Sequence, residues 1–260
     1  MAPVRSPFPG FPREGLTFLR QLRRNNNRPW FTANKETYEQ GLRAPMLALV
    51  TALGGAIQGF APELVTDPKR AVYRIYRDVR FSRDKSPYKT HIAAHFSANL
   101  AVCAATDAAW ASADTTARRA MGLERHAGAG LYFHIAPEEV LIAGGIYMPG
   151  PEELRAIRGY VAEHAGELEG IMRQRSFKTL YCGLQGDRLS RPPKGWPADH
   201  PAIDWLRYKQ YIAWFERPAR VAATPELFPL LLRGFIAIMP LVRFLNTPLR
   251  AAARAASAAK

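Results

Sequence analysis

The hydrophobic period of the chain changes near residue 71, from the spacing of a helix to that of a strand. Apolar residues between 12 and 60 recur every three or four positions, which indicates helices. From 71 to 81 they recur at every second position, which predicts a half-buried strand. Further strands are predicted at 91–96, 131–136, 140–148 and 211–216. We therefore expect an α+β fold in which an antiparallel or mixed sheet packs against N-terminal and C-terminal helices.

The length of 260 residues and a hydrophobic content of 48% are sufficient for a substantial core. We expect one continuous domain over residues 11–246, with an Ala-rich insertion at about 97–130 and a basic, Ala-rich tail at 247–260. The chain has two cysteines, which exclude a disulfide framework and a four-cysteine zinc site. This cysteine usage predicts a cytoplasmic protein.

The most apolar stretch of the chain lies between residues 227 and 245. Two arginines and two prolines interrupt it: Arg233, Arg243, Pro229 and Pro240. We interpret it as a buried helix and expect no membrane span. The first residues also lack the continuous apolar segment of a secretory signal.

The positive charge of the chain is concentrated in its central part. Residues 74–91 contain six basic side chains, two tyrosines and two aspartates around a proline. Residues 69–91 have a net charge of +6, out of +14 for the whole chain. Such a segment offers many donors for phosphate or carboxylate groups. The sequence therefore predicts an anionic small molecule as partner, with nucleic acid as another possibility.

Arg77 occupies the apolar side of its predicted strand, between Ile75 and Val79. A charge in that position needs an ionic partner or a wet pocket. Asp78 cannot supply the partner along the strand, because adjacent side chains point to opposite sides. We expect Arg77 to be largely buried and to contact either a residue such as Asp84 or a ligand.

We predict a basic pocket that binds a phosphate-bearing or carboxylate ligand. Its predicted ligand-binding residues are Arg77, Arg80, Ser82, Lys85, Tyr88 and Lys89. An enzyme would also need a titratable group near this pocket. The candidates for such a catalytic role are His200, Asp78 and Asp84.

No cofactor is indicated, and we expect no metal site. His91 and His95 have the spacing of a helical metal pair, but on a strand four residues span about 13 Å. Two other functions stay open. One is non-specific nucleic-acid binding along an exposed stripe that joins Arg23, Arg24 and Arg28 to the central segment. The other is an interaction module in which the basic segment is a structural brace.

Several segments carry a resemblance to a known family. They are Asn25-Asn26-Asn27-Arg28-Pro29-Trp30-Phe31, the run from Arg77-Asp78-Val79-Arg80-Phe81 through Ser86-Pro87-Tyr88-Lys89-Thr90-His91, Gly144-Gly145, Pro193-Lys194-Gly195 and Asp199-His200-Pro201. In this order they resemble the family catalogued as domain of unknown function 2461, over about residues 11–246. The Ala-rich stretch at 97–130 and Tyr147 depart from the family pattern. The resemblance implies the extent of the domain and no particular activity.

Overall fold

A four-stranded antiparallel sheet forms the centre of the protein. The computed structural model describes residues 6–80, 84–98 and 128–258. Within them the strands are β1 (Ile92–Ser97), β2 (Gly130–Ile135), β3 (Glu139–Ile146) and β4 (Tyr211–Pro218), in the spatial order β1-β2-β3-β4. Leu131, Phe133 and Ile135 alternate along β2 with more polar residues, so β2 has one apolar and one polar face.

The strand register places large apolar side chains of three strands side by side. Phe133 lies opposite Ile142, which in turn lies opposite Phe215. Gly145 on β3 has φ +116°, and a Cβ there would lie 2.0 Å from the carbonyl oxygen of Tyr211. Only glycine tolerates both the positive φ and this close approach of β4.

Helices formed by the N-terminal part of the chain make a layer beside the sheet. They are α1 (Arg13–Arg24), α2 (Arg28–Ala33), α3 (Lys35–Tyr38), a π-helical turn (Glu39–Arg43), α4 (Ala44–Phe60) and the short α5 (Pro68–Ala71). The Asn27 side chain caps α2 by accepting a hydrogen bond from the Trp30 amide, and Pro29 occupies the first turn. Leu16, Leu19 and Leu22 form the buried stripe of α1.

Among the remaining helices, the last and longest covers the apolar face of the sheet. They are α6 (Pro151–Glu163), α7 (Ala165–Arg173), α8 (Arg175–Leu180), α9 (Ile203–Leu206), a 3₁₀ turn (Ala219–Ala223) and α10 (Leu227–Ala258). On α10, Phe235 contacts the rings of Phe96 and Phe133, and Ile238 lies against Gly144. The α+β architecture, with an antiparallel sheet and helices from both ends of the chain, is thereby confirmed.

Helix α10 contains the apolar stretch that the sequence shows. By length and composition residues 227–255 could cross a membrane, but 67% of the apolar window is buried inside the protein. Its contacts with the sheet account for its composition, as expected for a core helix. The helix continues through residues 247–258 of the predicted tail.

The predicted strand at 71–81 is wrong in its extent. Val72 forms an isolated bridge with Ala94, and the Tyr73 amide donates to the Ala93 carbonyl, so the chain follows β1 only at these positions. Farther along the chain, residues 75–77 pair with residues 87–89 instead of with β1. A local period of two indicates an extended backbone, but it does not identify the pairing partner.

Two further predictions concern residues outside the described part of the chain. The predicted insertion falls mostly on residues 99–127, and Ser82 lies within 81–83.

Candidate functional site

Residues 75–80 and 84–89 of the basic segment lie side by side, and we call them the basic hairpin. We call its end, at residues 77–80 and 84–86, the turn. The Arg77 amide donates to the Pro87 carbonyl at 2.9 Å, and the Lys89 amide donates to the Ile75 carbonyl at 2.7 Å. Because side chains alternate along an extended backbone, Arg77 and Lys89 lie on the same side of this hairpin.

The opposite side of the hairpin packs against the N-terminal helices. Tyr88 is 4% exposed, and its ring stacks on Phe31 with the centroids 4.0 Å apart. The side-chain amide of Asn26 donates to the Tyr88 carbonyl at 2.9 Å and accepts from the Tyr88 amide at 3.1 Å. The Asn-rich segment that carries the family resemblance therefore holds the hairpin in place. The ligand-binding role of Tyr88 stays a prediction.

The ionic partner of Arg77 lies within the hairpin. It forms an ion pair with Asp84 and donates to the Ser86 hydroxyl at 2.8 Å. The predicted charged contact is present, whereas the side chain is half-buried, with 30% of it exposed. Hydrogen bonds from Ser86 and then Arg77 lower the pKa of Asp84 to about 2. Asp84 thus closes the turn of the hairpin as an ionised carboxylate.

The other charges of the turn that the structure describes are also held by neighbours. Arg80 donates to Asp78 at 2.6 Å, and this hydrogen bond lowers the pKa of Asp78 to about 2. Lys85 donates from its Nζ to the Val79 carbonyl at 3.0 Å. Ligand binding by Arg80, Ser82 and Lys85, and catalysis by Asp78 and Asp84, stay predictions.

A second group of titratable side chains lies between the hairpin and the polar face of the sheet. We call it the sheet-face cluster, and its members are Tyr73, Lys89, His91, Tyr132 and His134. The Lys89 Nζ lies 5.0 Å from the centre of the Tyr73 ring, which is 6.3 Å from the Tyr132 ring. The Tyr132 hydroxyl lies 3.1 Å from Nδ1 of His134, and the rings of His134 and His91 are 4.9 Å apart. All five side chains are half-buried.

Both histidines of the cluster are held in the neutral form. Burial lowers the pKa of His91 to about 4, and repulsion by His134, Lys89 and Arg77 adds to the effect. Burial also lowers the pKa of His134 to about 4. Both imidazoles are therefore uncharged at neutral pH.

Lys89 is the positively charged member of the cluster. Burial, followed by the nearby charge of Arg74, lowers its pKa. Among the described residues, no carboxylate forms an ion pair with Lys89. Burial also raises the pKa of Tyr73 and Tyr132, so both phenols remain protonated donors. This arrangement suits an anion, which would supply the missing negative charge.

His200 occupies a different environment. Its Nδ1 accepts a hydrogen bond from the Ala202 amide at 3.1 Å, and its ring packs edge-on against Trp196. These contacts brace the loop before α9. A catalytic role of His200 stays a prediction.

Sequence reasoning missed four of the five cluster residues as ligand-binding candidates. Tyr132 and His134 alternate with the apolar residues of β2, so the strand pattern already placed them together on the polar face. His91 was considered only as a partner of His95. Its nearness to His134 follows from the pairing of β1 with β2, in which Ala93 lies opposite His134.

A groove lies apart from the basic hairpin and the sheet-face cluster. The groove lies between α7 and α10 and has a volume of about 620 Å³. Its lining includes Glu167, Gln174, Arg243 and Thr247, and none of its lining residues belongs to the basic hairpin. In residues 6–80, 84–98 and 128–258 no three side chains form a group able to hold a metal ion.

Comparison with known proteins gives one match. No curated protein and no solved structure matches the chain. A family model described as a conserved hypothetical protein, DUF2461, matches residues 14–244. The matched region contains the sheet, the basic hairpin and the whole sheet-face cluster. Since the match covers more than half of the chain, the protein belongs to the DUF2461 family.

Proposed function

We propose that this is a cytoplasmic protein whose sheet-face cluster binds a small phosphate-bearing or carboxylate ligand. The observation that carries the proposal is Lys89, a half-buried cation that has no carboxylate partner among the described residues. Desolvating a cation without a partner opposes folding. An anion that docks on Lys89 would offset this cost.

The neighbours of Lys89 supply the other groups that an anion needs. Burial keeps the phenols of Tyr73 and Tyr132 protonated, so neither adds a competing negative charge beside Lys89. Arg77 is half-buried on the same side of the hairpin, and Arg74 is close enough to lower the pKa of Lys89. The positive field at the cluster therefore comes from several residues of one segment.

The turn of the hairpin fits the structural-brace alternative better than a ligand site. Arg77 and Arg80 each pair with an aspartate, and Lys85 bonds a carbonyl. Such internal pairs leave fewer donors for a ligand. We therefore place the proposed ligand on the cluster and not on the turn.

The test compares two lysines of the hairpin by anion-dependent thermal stabilisation. Inorganic phosphate and citrate serve as the phosphate and carboxylate probes. We expect K89M to abolish the stabilisation by anions while the free protein keeps its stability, because methionine retains the length of the side chain without its desolvation cost. K85M is the matched control and should respond to anions as the wild type does. Loss of the response in K85M with retention in K89M would overturn the proposal.

Nucleic-acid binding is a second candidate, and one exposed ring favours it. Tyr76 is 59% exposed on the side of the hairpin away from Lys89, and it lies close to Tyr88. An exposed ring beside basic residues can stack on an unpaired base. A single-stranded oligonucleotide should then bind weakly, lose affinity steeply with salt and bind less well to Y76A. Equal binding by Y76A would remove this candidate.

A further inference from the structure

The two histidines of the sheet-face cluster form a closely spaced pair. His91 directly precedes β1 and His134 lies on β2, and their ring centres are 4.9 Å apart with the planes tilted by 33°. Two imidazoles at this separation repel one another when both are protonated. The protonation of the pair therefore depends on any charge that enters the cluster.

The hydrogen bonds of His134 indicate where its proton lies. Its Nε2 faces Oε1 of Glu139 at 3.5 Å, and its Nδ1 lies 3.1 Å from the Tyr132 hydroxyl. A carboxylate only accepts, so the proton belongs on Nε2, and Tyr132 donates to Nδ1. Protonation of His134 at Nδ1 would convert this nitrogen from an acceptor into a donor, and the Tyr132 hydroxyl could turn to accept from it.

The charged groups around the pair are mostly positive. Lys89 and Arg77 approach His91 from the hairpin, and their charges help to keep it neutral. Arg74 approaches Lys89 from the same segment. Glu139 at the start of β3 is the carboxylate in contact with the pair, and its side chain is 34% exposed. Tyr73 and Tyr147 are further titratable groups near Tyr132.

An anion in the cluster would favour protonation of the histidines. Negative charge beside an imidazole favours its protonated form, just as the cations of the free cluster favour the neutral form. A doubly charged anion would match Lys89 with one charge and leave the second to hold a proton on the histidine pair. A singly charged anion would be matched by Lys89 alone.

We propose that the sheet-face cluster selects a doubly charged tetrahedral oxyanion and takes up a proton on the His91–His134 pair when that anion binds. This inference rests on the proposed function, since it concerns the same site. It gives the ligand class as a dianion such as a phosphate group. It also makes affinity a function of pH.

The direction of the pH effect follows from linkage. In the free protein the pKa of each histidine is about 4. If the bound anion raises one of these pKa values, binding takes up a proton at every pH between the free and the bound value. Within that window the affinity increases as pH falls, by up to about tenfold per pH unit for one proton. Above the bound pKa the affinity becomes constant.

Sulfate is the most informative probe for this coupling. A phosphate group itself takes up a proton near pH 6, so its own ionisation would confuse the measurement. Sulfate has the same tetrahedral shape and remains a dianion at these pH values. Calorimetric titrations at pH 5.5 and 7.5, each in two buffers of different ionisation enthalpy, give both the affinity and the number of protons taken up.

We expect the wild type to bind sulfate several-fold more tightly at pH 5.5 than at pH 7.5 and to take up a proton. H91Q and H134Q should each reduce the uptake and flatten the pH dependence. H164Q is the matched control, because His164 stacks on Tyr160, whose ring contacts Phe244 on the other side of the sheet. It should behave as the wild type does.

The outcomes separate this inference from the proposed function. Sulfate binding that is lost in K89M but shows equal affinity at both pH values, without proton uptake, would overturn the coupling and leave the anion site standing. No sulfate binding at either pH would overturn both. Should the histidine variants fail to fold, NMR titration of the wild-type imidazole protons decides. The pKa of His91 or His134 must rise when sulfate is added, and an unchanged pKa for both contradicts the proposal.

Discussion

The turn of the basic hairpin and the sheet-face cluster are adjacent, but they differ in how their charges are paired. In the turn, Asp78 and Asp84 match Arg80 and Arg77. In the cluster, Lys89 has no carboxylate partner among the described residues, and two histidines are kept neutral. The density of basic residues is highest toward the turn, but Lys89, the half-buried lysine without a carboxylate partner among the described residues, is in the cluster. For a ligand site, the pairing of charges is therefore more informative than their number.

The largest effect that we expect from this difference is in the pH dependence of folding. The histidines of the cluster have folded pKa values of about 4, below the usual value near 6.5. A lowered histidine pKa gives stability that is present above pH 6.5 and is lost as pH falls toward 4. Each histidine should contribute on the order of 2–3 kcal/mol to the loss of unfolding free energy over that window. Urea unfolding at pH 7 and pH 4.5 measures it.

The carboxylates of the turn titrate in a lower pH window than the histidines of the cluster. The pKa values of Asp78 and Asp84 are lowered to about 2, so their contribution is present above pH 4 and is lost below it. The double variant H91Q/H134Q should remove the loss between pH 6.5 and 4 and leave the acid transition below pH 4 intact. A wild-type loss of the same size in this double variant would show that other groups cause it.

A smaller effect is expected where the hairpin is fastened to the helices. The side chain of Asn26 makes two hydrogen bonds with the backbone of Tyr88. N26A leaves both partly buried backbone groups without this partner and should lower the free energy of unfolding by about 2 kcal/mol. N25A is the control, since Asn25 is exposed and its side chain donates to the Gln21 carbonyl within its own helix end. Equal effects of the two variants would argue against the proposed fastening.

The pairing of β2 with β3 was predictable from the sequence because these two strands are close in the chain and alternate clearly. The strands predicted at 131–136 and 140–148 are observed as Gly130–Ile135 and Glu139–Ile146. The segment 71–81 was not predictable in this way. Its partners are Ala93 at one end and Pro87 at the other, and a local pattern cannot distinguish them.

The candidate site was predictable only in part. Arg77 and Lys89 were found because charge is visible in the sequence. The histidine pair requires the register of β1 against β2, which sets Ala93 opposite His134 and so brings His91 near that ring. The pairing of Arg77 with Asp84 depends on the hairpin. The hairpin in turn is held by a hydrogen bond from Asn26 to Tyr88, which lies 62 residues away in the sequence.

The smallest effect is expected in the turn. Lys85 is exposed and its single described contact is with the Val79 carbonyl. K85A should change the free energy of unfolding by only a few tenths of a kcal/mol, as is usual for exposed charges. Chemical denaturation at pH 7 tests this. A loss well above 1 kcal/mol would mean that the lysine is an essential part of the brace.

Amide chemical shifts would show most directly where an anion binds. Sulfate added to isotopically labelled protein at pH 6 should move the resonances of Lys89, His91, Ala93 and His134. Those of Asp78, Asp84 and Ser86 in the turn should move little, because their charges and donors are already paired. Shifts confined to the turn, with the cluster unchanged, would contradict the account.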